Sequence, residues 1–417
     1  MLKKRIASAF FLMLFLLPVH AFSLIGKSRT GGMSEVFVGE SRVSVSGGFV
    51  EWYDDNTISV RAKALEVSIT IDNLDSDKAG KFDFRVSNVN PELTKIIGLG
   101  DADIKKGNNS LDFSSDVEAK KVAVYKLFPD LKENEYKFMV FAEASGGGNV
   151  FDRIISDVNY RKPLFVVSGG DMLEHPGSSA YDDFLEKVGK VRLPFLSVPG
   201  SMETAKGGHD IYPDYFGAAY YSFEYKGAHF VFLDNGAGYL SEEQFLWLDR
   251  ELMQSKAANK FVFMHLPPFD PRPGREAPMG KGGQFKRLSS ILEKYKVNYV
   301  FSAGIHSYFK KEVAGVNYII SGGAGSELAS TDSYYNYVIV DVKGDEVAHK
   351  VVKLDAPSLA WHKSACLKLK IYLKASFVSN PVRTVGVVAL LLFIVLGIIR
   401  FIYMYLFSRK PSKRLSL

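Results

Sequence analysis

The sequence predicts a mixed α/β protein: short alternating strands first, then apolar strands interleaved with helices, then one membrane-crossing helix. Three observations carry this. In segments such as Leu65-Glu-Val-Ser-Ile-Thr-Ile71 and Phe82-Asp-Phe-Arg-Val86, apolar residues recur at every second position, the period of a half-buried strand. From residue 138 the strands become near-continuous apolar runs, as in Phe138-Met-Val-Phe141 and Leu164-Phe-Val-Val167, which suits strands covered on both faces. Toward the C-terminus, Val385 to Ile399 carries no charge and Phe401 to Phe407 continues it, together long enough to span a bilayer. Arg400 interrupts the run and can snorkel to the interface.

The elements follow in chain order. Lys3-Lys4-Arg5, an apolar run from Ile6 to Val19 and the small-residue site at Val19-His20-Ala21 read as a secretory leader, with the mature chain beginning near Phe22. Val36 to Val38, Arg42 to Ser46, Ile58 to Arg61, Leu65 to Ile71 and Phe82 to Val86 are expected strands. They are punctuated by Asp54-Asp-Asn56, Asp75-Ser-Asp77 and Lys106-Gly-Asn-Asn109. Several short strands over 22–135 predict a β-sandwich of immunoglobulin or fibronectin type. Further on, helices are expected at Phe151 to Val158, Ala180 to Val188, Ser241 to Ala257 and Phe285 to Tyr295. Ser241 is the N-cap of the third and Gln244 its capping-box partner.

Composition narrows the function. The 417 residues allow two cores plus accessory segments, and the net charge of +6 is concentrated at the two ends. With no basic stripe interleaved with aromatic residues, nucleic acid is not an expected partner. The single Cys366 allows no internal disulfide and lies beside the expected span, which fits a bacterial envelope protein. Lysines 363, 368, 370 and 374 and Arg383 balance the tail Arg409-Lys410 and Lys413-Arg414, so the charge rule decides little; the leader sets the orientation. The expected arrangement is a leader at 1–21, a sandwich at 22–135, a second domain at 136–355, a basic linker at 356–381, the span at 382–407 and a cytoplasmic tail at 408–417. The domains would face the periplasm of a cytoplasmic membrane, held to its lipid by the helix.

Five strand ends bear polar groups. Phe138 to Phe141 leads to Glu143 and Ser145, Leu164 to Val167 to Asp171, and Leu196 to Val198 to Gly200-Ser-Met-Glu203. Phe261 to Met264 leads to His265 and Tyr299 to Phe301 to His306. In sheets of buried strands, ligands gather outside the carboxyl ends, and a mixture of imidazoles and carboxylates suits zinc, manganese or iron.

In the order and spacing of these blocks, from Tyr136 to Asp355, the chain resembles the calcineurin-like metallophosphoesterases, a superfamily that includes the purple acid phosphatases. Tyr212-Pro-Asp-Tyr-Phe-Gly217, His229-Phe-Val-Phe-Leu-Asp234 and Ser321-Gly-Gly-Ala-Gly325 add to the likeness. The resemblance implies a four-layer metallophosphoesterase β-sandwich flanked by helices, and two metals bridged by one aspartate that generate a hydroxide nucleophile. Asp171, His265 and His306 match the family's ligands unchanged. The other blocks depart from it. Where the family has Asp-x-His the chain has Glu143 and Ser145. Ser201 and Met202 stand at an amide ligand and a histidine, and Gly304 stands at the first imidazole of Gly-His-x-His.

Carried over, the resemblance implies one metal site of Glu143, Asp171 and His306, and a second reduced to Asp171 and His265; a full dinuclear centre is not expected. Met202, at the leaving-group histidine, is the most damaging replacement, since a thioether neither donates a proton nor carries charge. His209, His175 and Glu174 are nearby substitutes, read mainly as solvated loop residues, and His229 as a packed strand residue. The expectation is a membrane-tethered binding or scaffolding pseudoenzyme that holds a metal, a phosphate-bearing small molecule or an envelope protein. An active phosphoesterase with a reduced metal site is one alternative and a purely structural module another.

Overall fold

The computed structural model describes residues 29–355, save 101, 146–147, 273–278, 280–282 and 331. It also describes 366, 369, 372–373, 376–377 and 380–407. The expected leader, the basic tail, Gly146, Gly147 and most of the linker lie outside the described residues.

The first region is all β, with ten strands: β1 Glu35–Val38, β2 Ser41–Ser46, β3 Gly48–Tyr53, β4 Thr57–Ala62, β5 Val67–Asn73, β6 Gly80–Ser87, β7 Thr94–Ile97, β8 Lys105–Lys106, β9 Ser110–Val117 and β10 Val122–Pro129. They form two sheets, β1-β2-β5-β10-β7 and β3-β4-β6-β9-β8. Pairing is antiparallel except between β4 and β6. Valines and isoleucines from alternate positions of both sheets meet in one core, as in β5, whose pattern is strictly buried and half-buried by turns.

The second region holds β11 Glu135–Phe141, β12 Phe165–Ser168, β13 Phe195–Ser197, β14 Tyr221–Tyr225, β15 Ala228–Phe232, β16 Asn259–Phe263, β17 Tyr299–Ser302, β18 Phe309–Val313, β19 Val316–Ile320, β20 Tyr335–Lys343 and β21 Glu346–Leu354. One sheet runs β13-β12-β11-β20-β21 and the other β14-β15-β16-β17-β19-β18. β11, β12 and β13 pair in parallel, as do β15, β16, β17 and β19. The sheets meet through phenylalanines: Phe138, stacked on Phe165 of its own sheet at 5.0 Å, meets Phe230 and Phe261 of the other sheet edge-on.

Helices cover both outer faces. Gly148–Arg161, Ser178–Val188 and Gly208–Phe216 pack on the first sheet, and Glu242–Gln254 and Gln284–Lys294 on the second. This makes a four-layer α/β/β/α stack, and it brings the carboxyl ends of the parallel strands of both sheets to one edge. The stack is a mixed α/β arrangement consistent with the metallophosphoesterase fold.

Several local expectations change. Ser241 caps its helix by accepting the Gln244 N–H at 3.2 Å, but Gln244 does not close a capping box. Its carboxamide instead grips the Asp234 backbone at both ends, accepting its N–H at 3.0 Å and donating to its carbonyl at 2.8 Å. β15 is buried along its whole length, His229 included, because sheet and helix cover its two faces. The helices Ser201–Thr204 and Gly208–Phe216 go unannounced in the sequence, masked by Gly207, Gly208 and Pro213. Pro381–Phe407 is a single helix of 27 residues, and among the described residues it is the one long and apolar enough to cross a membrane.

Candidate metal centre

The site is built at the strand ends from residues in an uncommon conformation. Glu143, Asp171 and His306 follow β11, β12 and β17 with φ of 64°, 51° and 54°. Left-handed backbone costs a non-glycine residue roughly 1–3 kcal/mol and persists where surrounding contacts over-determine it. Here they do. Glu143 N–H donates to the Gly170 carbonyl at 3.1 Å, Asp171 N–H to Glu203 Oε2 at 2.8 Å, and the His306 carbonyl accepts the Ala329 N–H at 3.0 Å. The result is three donor atoms, one each from Glu143, Asp171 and His306, all within 4.8 Å of one another.

Two imidazoles are fixed by backbone carbonyls. His265 Nδ1–H donates to the Gly169 carbonyl at 2.8 Å, and His306 Nδ1–H to the Glu327 carbonyl at 2.7 Å. In the neutral ring this leaves the lone pair on Nε2. Nε2 of His265 then lies 3.5 Å from Asp171 Oδ1, and Nε2 of His306 lies 3.2 Å from Glu143 Oε2. Both His265 Nε2 and Glu143 Oε2 are buried without a hydrogen bond. Lone pairs turned on carboxylate oxygens can be met by a proton or by a cation between them, and this set of imidazoles and carboxylates fits a divalent transition metal.

Burial raises Glu143 to about 8; the nearby Asp171 and Glu203 charges add to this, while His265 and the Gly304 N–H oppose it. Burial likewise raises Glu203 to about 7, with Asp171 adding and backbone N–H groups opposing.

At the remaining positions the protein satisfies itself. Ser201 Oγ is 3.0 Å from both oxygens of Asp171, and Met202, half-buried, gives its N–H to Asp171 Oδ1 at 2.8 Å. Gly304 N–H donates to Glu143 Oε1 at 2.8 Å, and Ser145 Oγ pairs with Ser326 Oγ at 2.8 Å. His209 does not join the centre; its Nε2 meets Asp234 Oδ2 at 2.8 Å. His175 and Glu174 are exposed, and the nearest partner of the His175 ring is the Pro176 carbonyl at 3.4 Å. His229 is buried, with Glu224 and Glu251 each 4.0 Å from its ring. The sequence reading passed over Asn235, which accepts the N–H groups of His265 at 2.9 Å and Leu266 at 3.0 Å. Its signal was its place at a sixth strand end, after β15.

No family model matches the chain. A probable cyclic nucleotide phosphodiesterase of Fibrobacter succinogenes is 22% identical over 134 residues, covering 28% of this chain and 52% of that protein. The chain thus spans about half the length of the curated relative it matches. Among solved structures, the purple acid phosphatase PPD1 of yellow lupin seeds is 13% identical, covering 69% of this chain and 70% of that one, with a TM-score of 0.45. PhoD is 11% identical, covering 76% and 96%, with a TM-score of 0.46. With two facing sheets and its polar strand ends gathered in the order read from the sequence, the chain resembles the calcineurin-like metallophosphoesterases.

Proposed function

We propose that the chain is a membrane-tethered extracytoplasmic protein whose phosphoesterase-like pocket binds one metal and serves recognition rather than turnover. One observation carries this: among the described residues a single group of three metal-donor side chains comes together, Glu143, Asp171 and His306. The second set is reduced to Asp171 and His265. Zinc, manganese or iron would supply positive charge for a phosphoryl oxygen of a small molecule or envelope protein. The protein's own groups then orient that ligand. The His265 tautomer is held by Gly169, and the Ser201 hydroxyl and Met202 N–H are committed to Asp171. No imidazolium stands at Met202 to protonate a leaving group.

The apolar helix supports the anchor. At about 1.5 Å per residue it exceeds the ~30 Å hydrocarbon core. The leader places the domains outside a bacterial cytoplasmic membrane and the tail inside. The ten-strand first region is read as an immunoglobulin- or fibronectin-like sandwich that presents the second domain.

The test is metal content of the full chain in detergent after loading with zinc, manganese or iron, together with hydrolysis of an aryl phosphate and its diester. About one metal per chain, lost in Asp171→Asn, without metal-dependent turnover, is the expected result. Metal-dependent turnover that Asp171→Asn abolishes would establish an active phosphoesterase instead. Folded, metal-free protein would establish a structural module.

A further inference from the structure

A cavity of about 770 Å³ lies away from the metal centre, between the β3-β4-β6-β9-β8 sheet and the end of the helix Ser178–Val188. Its floor is the outer face of that sheet, where the strand period places polar side chains opposite the sandwich core. Glu51, Arg61 and Arg85 project there from β3, β4 and β6.

Arg61 is the anomaly. Its side chain is 9% exposed, its nearest carboxylate oxygen, Glu51 Oε1, is 3.8 Å away, and among the described residues its guanidinium makes no hydrogen bond to protein. Glu51 is committed elsewhere: its Oε2 accepts the hydroxyls of Ser59 at 3.0 Å and Ser87 at 3.1 Å. Arg85 is also committed, through two 2.9 Å bonds to Asp112. The Arg61 guanidinium faces the cavity rather than protein acceptors, and its five donors form a fork that matches an oxyanion.

The surroundings favour an anion too. Arg29 lines the cavity too, stacked on Tyr215 at 3.9 Å and 3.5 Å from Asp182 Oδ1, and its positive charge repels that of Arg61. Lys105, exposed on β8, adds a further cation with no carboxylate partner among the described residues. Trp52 and Leu185 offer apolar wall beside these charges. The volume falls within the ~300–1,000 Å³ of small-molecule pockets, which favour domain boundaries, and is far larger than a bare phosphate needs.

We propose that this interdomain cavity binds a small organic anion, with its carboxylate or phosphate paired to Arg61 and its carbon skeleton against Trp52 and Leu185. The site needs no metal and is independent of the pocket at Asp171.

Calorimetric titration of the full-length protein in detergent, with EDTA present and at low salt, tests this using inorganic phosphate, glucose 6-phosphate and glucuronate. At least one organic anion should bind more tightly than inorganic phosphate; which one does separates phosphate from carboxylate recognition. Arg61→Gln should weaken that binding roughly 10- to 100-fold and Lys105→Gln a few-fold. Arg61→Gln also removes the pairing with Glu51 at 3.8 Å and the contact over the Phe216 ring at 5.7 Å, so circular dichroism first establishes that the variant is folded. Should that variant fail to fold, Leu185→Trp, which fills the cavity without touching the charge, should abolish binding. Absence of binding by all three probes, or binding that survives Leu185→Trp or a folded Arg61→Gln, would overturn the proposal.

Discussion

Glu203 holds the backbone of Asp171 in place: its Oε2 accepts the Asp171 N–H at 2.8 Å, and the same carboxylate accepts the N–H groups of Met172 at 2.9 Å, Leu173 at 3.0 Å and Gly200 at 2.8 Å. Four backbone donors on one fully buried carboxylate join the second and third strand-end loops. Glu203→Ala would leave all four unmet in a dry site. It should lower unfolding free energy by about 3–5 kcal/mol and weaken metal binding. Urea denaturation measures the first; a loss below 1 kcal/mol would show that water replaces the carboxylate.

Gly200 is required for space, not for conformation. A Cβ there would lie 2.2 Å from Asp171 N and 2.4 Å from Asp171 Oδ1, against backbone and carboxylate together. Gly200→Ala should cost about 1–3 kcal/mol by overpacking and lower metal affinity at least as much as Ser201→Ala does. Metal titration of the two variants side by side checks this order.

His229 should make the fold acid-sensitive. Burial depresses its pKa below 6.5, assisted by Lys260 and opposed by Glu224 and Glu251. The unfolded chain therefore binds this proton first. Stability from a neutral His229 is present above about 6.5 and is lost as pH falls below it toward the depressed value. Melting temperature between pH 7 and 5 should fall less in His229→Gln than in the parent. Parallel curves would exclude His229 as the source.

The apolar helix should determine partitioning. A chain ending at Asp355 should leave the membrane fraction for the soluble one with its domains folded, while the full chain stays with the lipid until detergent is added. Retention of the shortened chain on membranes would point to a second attachment in the domains.

Much of the centre was legible because its residues follow apolar strands: Phe138 to Phe141 announces Glu143, and Leu164 to Val167 announces Asp171. Other elements were less visible. β9 carries Ser114, Ser115 and Asp116 within a polar-rich alternation, and the helix Gly208–Phe216 contains Pro213. Glu203 stood in view as part of the third block, yet its purpose as a clamp on backbone N–H groups has no sequence signature. The same holds for the carbonyls of Gly169 and Glu327, which any residue type provides.

The sequence by itself determined the strand and helix character of each region, the apolar C-terminal run and which donor types stand at which strand ends, because these follow from local periodicity and residue chemistry. Only the tertiary structure decided that Glu143, Asp171 and His306 share one space, that His209 faces Asp234 instead, and that Ser201 and Gly304 bond to the Asp171 and Glu143 carboxylates. Those outcomes depend on which residues from distant segments are brought within hydrogen-bonding distance, and on backbone atoms that every residue shares. Arg61 makes the same point: an alternating strand predicts that it points away from the core, but only the packing of Phe216 and the helix Ser178–Val188 around it leaves it buried without a hydrogen-bonding partner among the described residues.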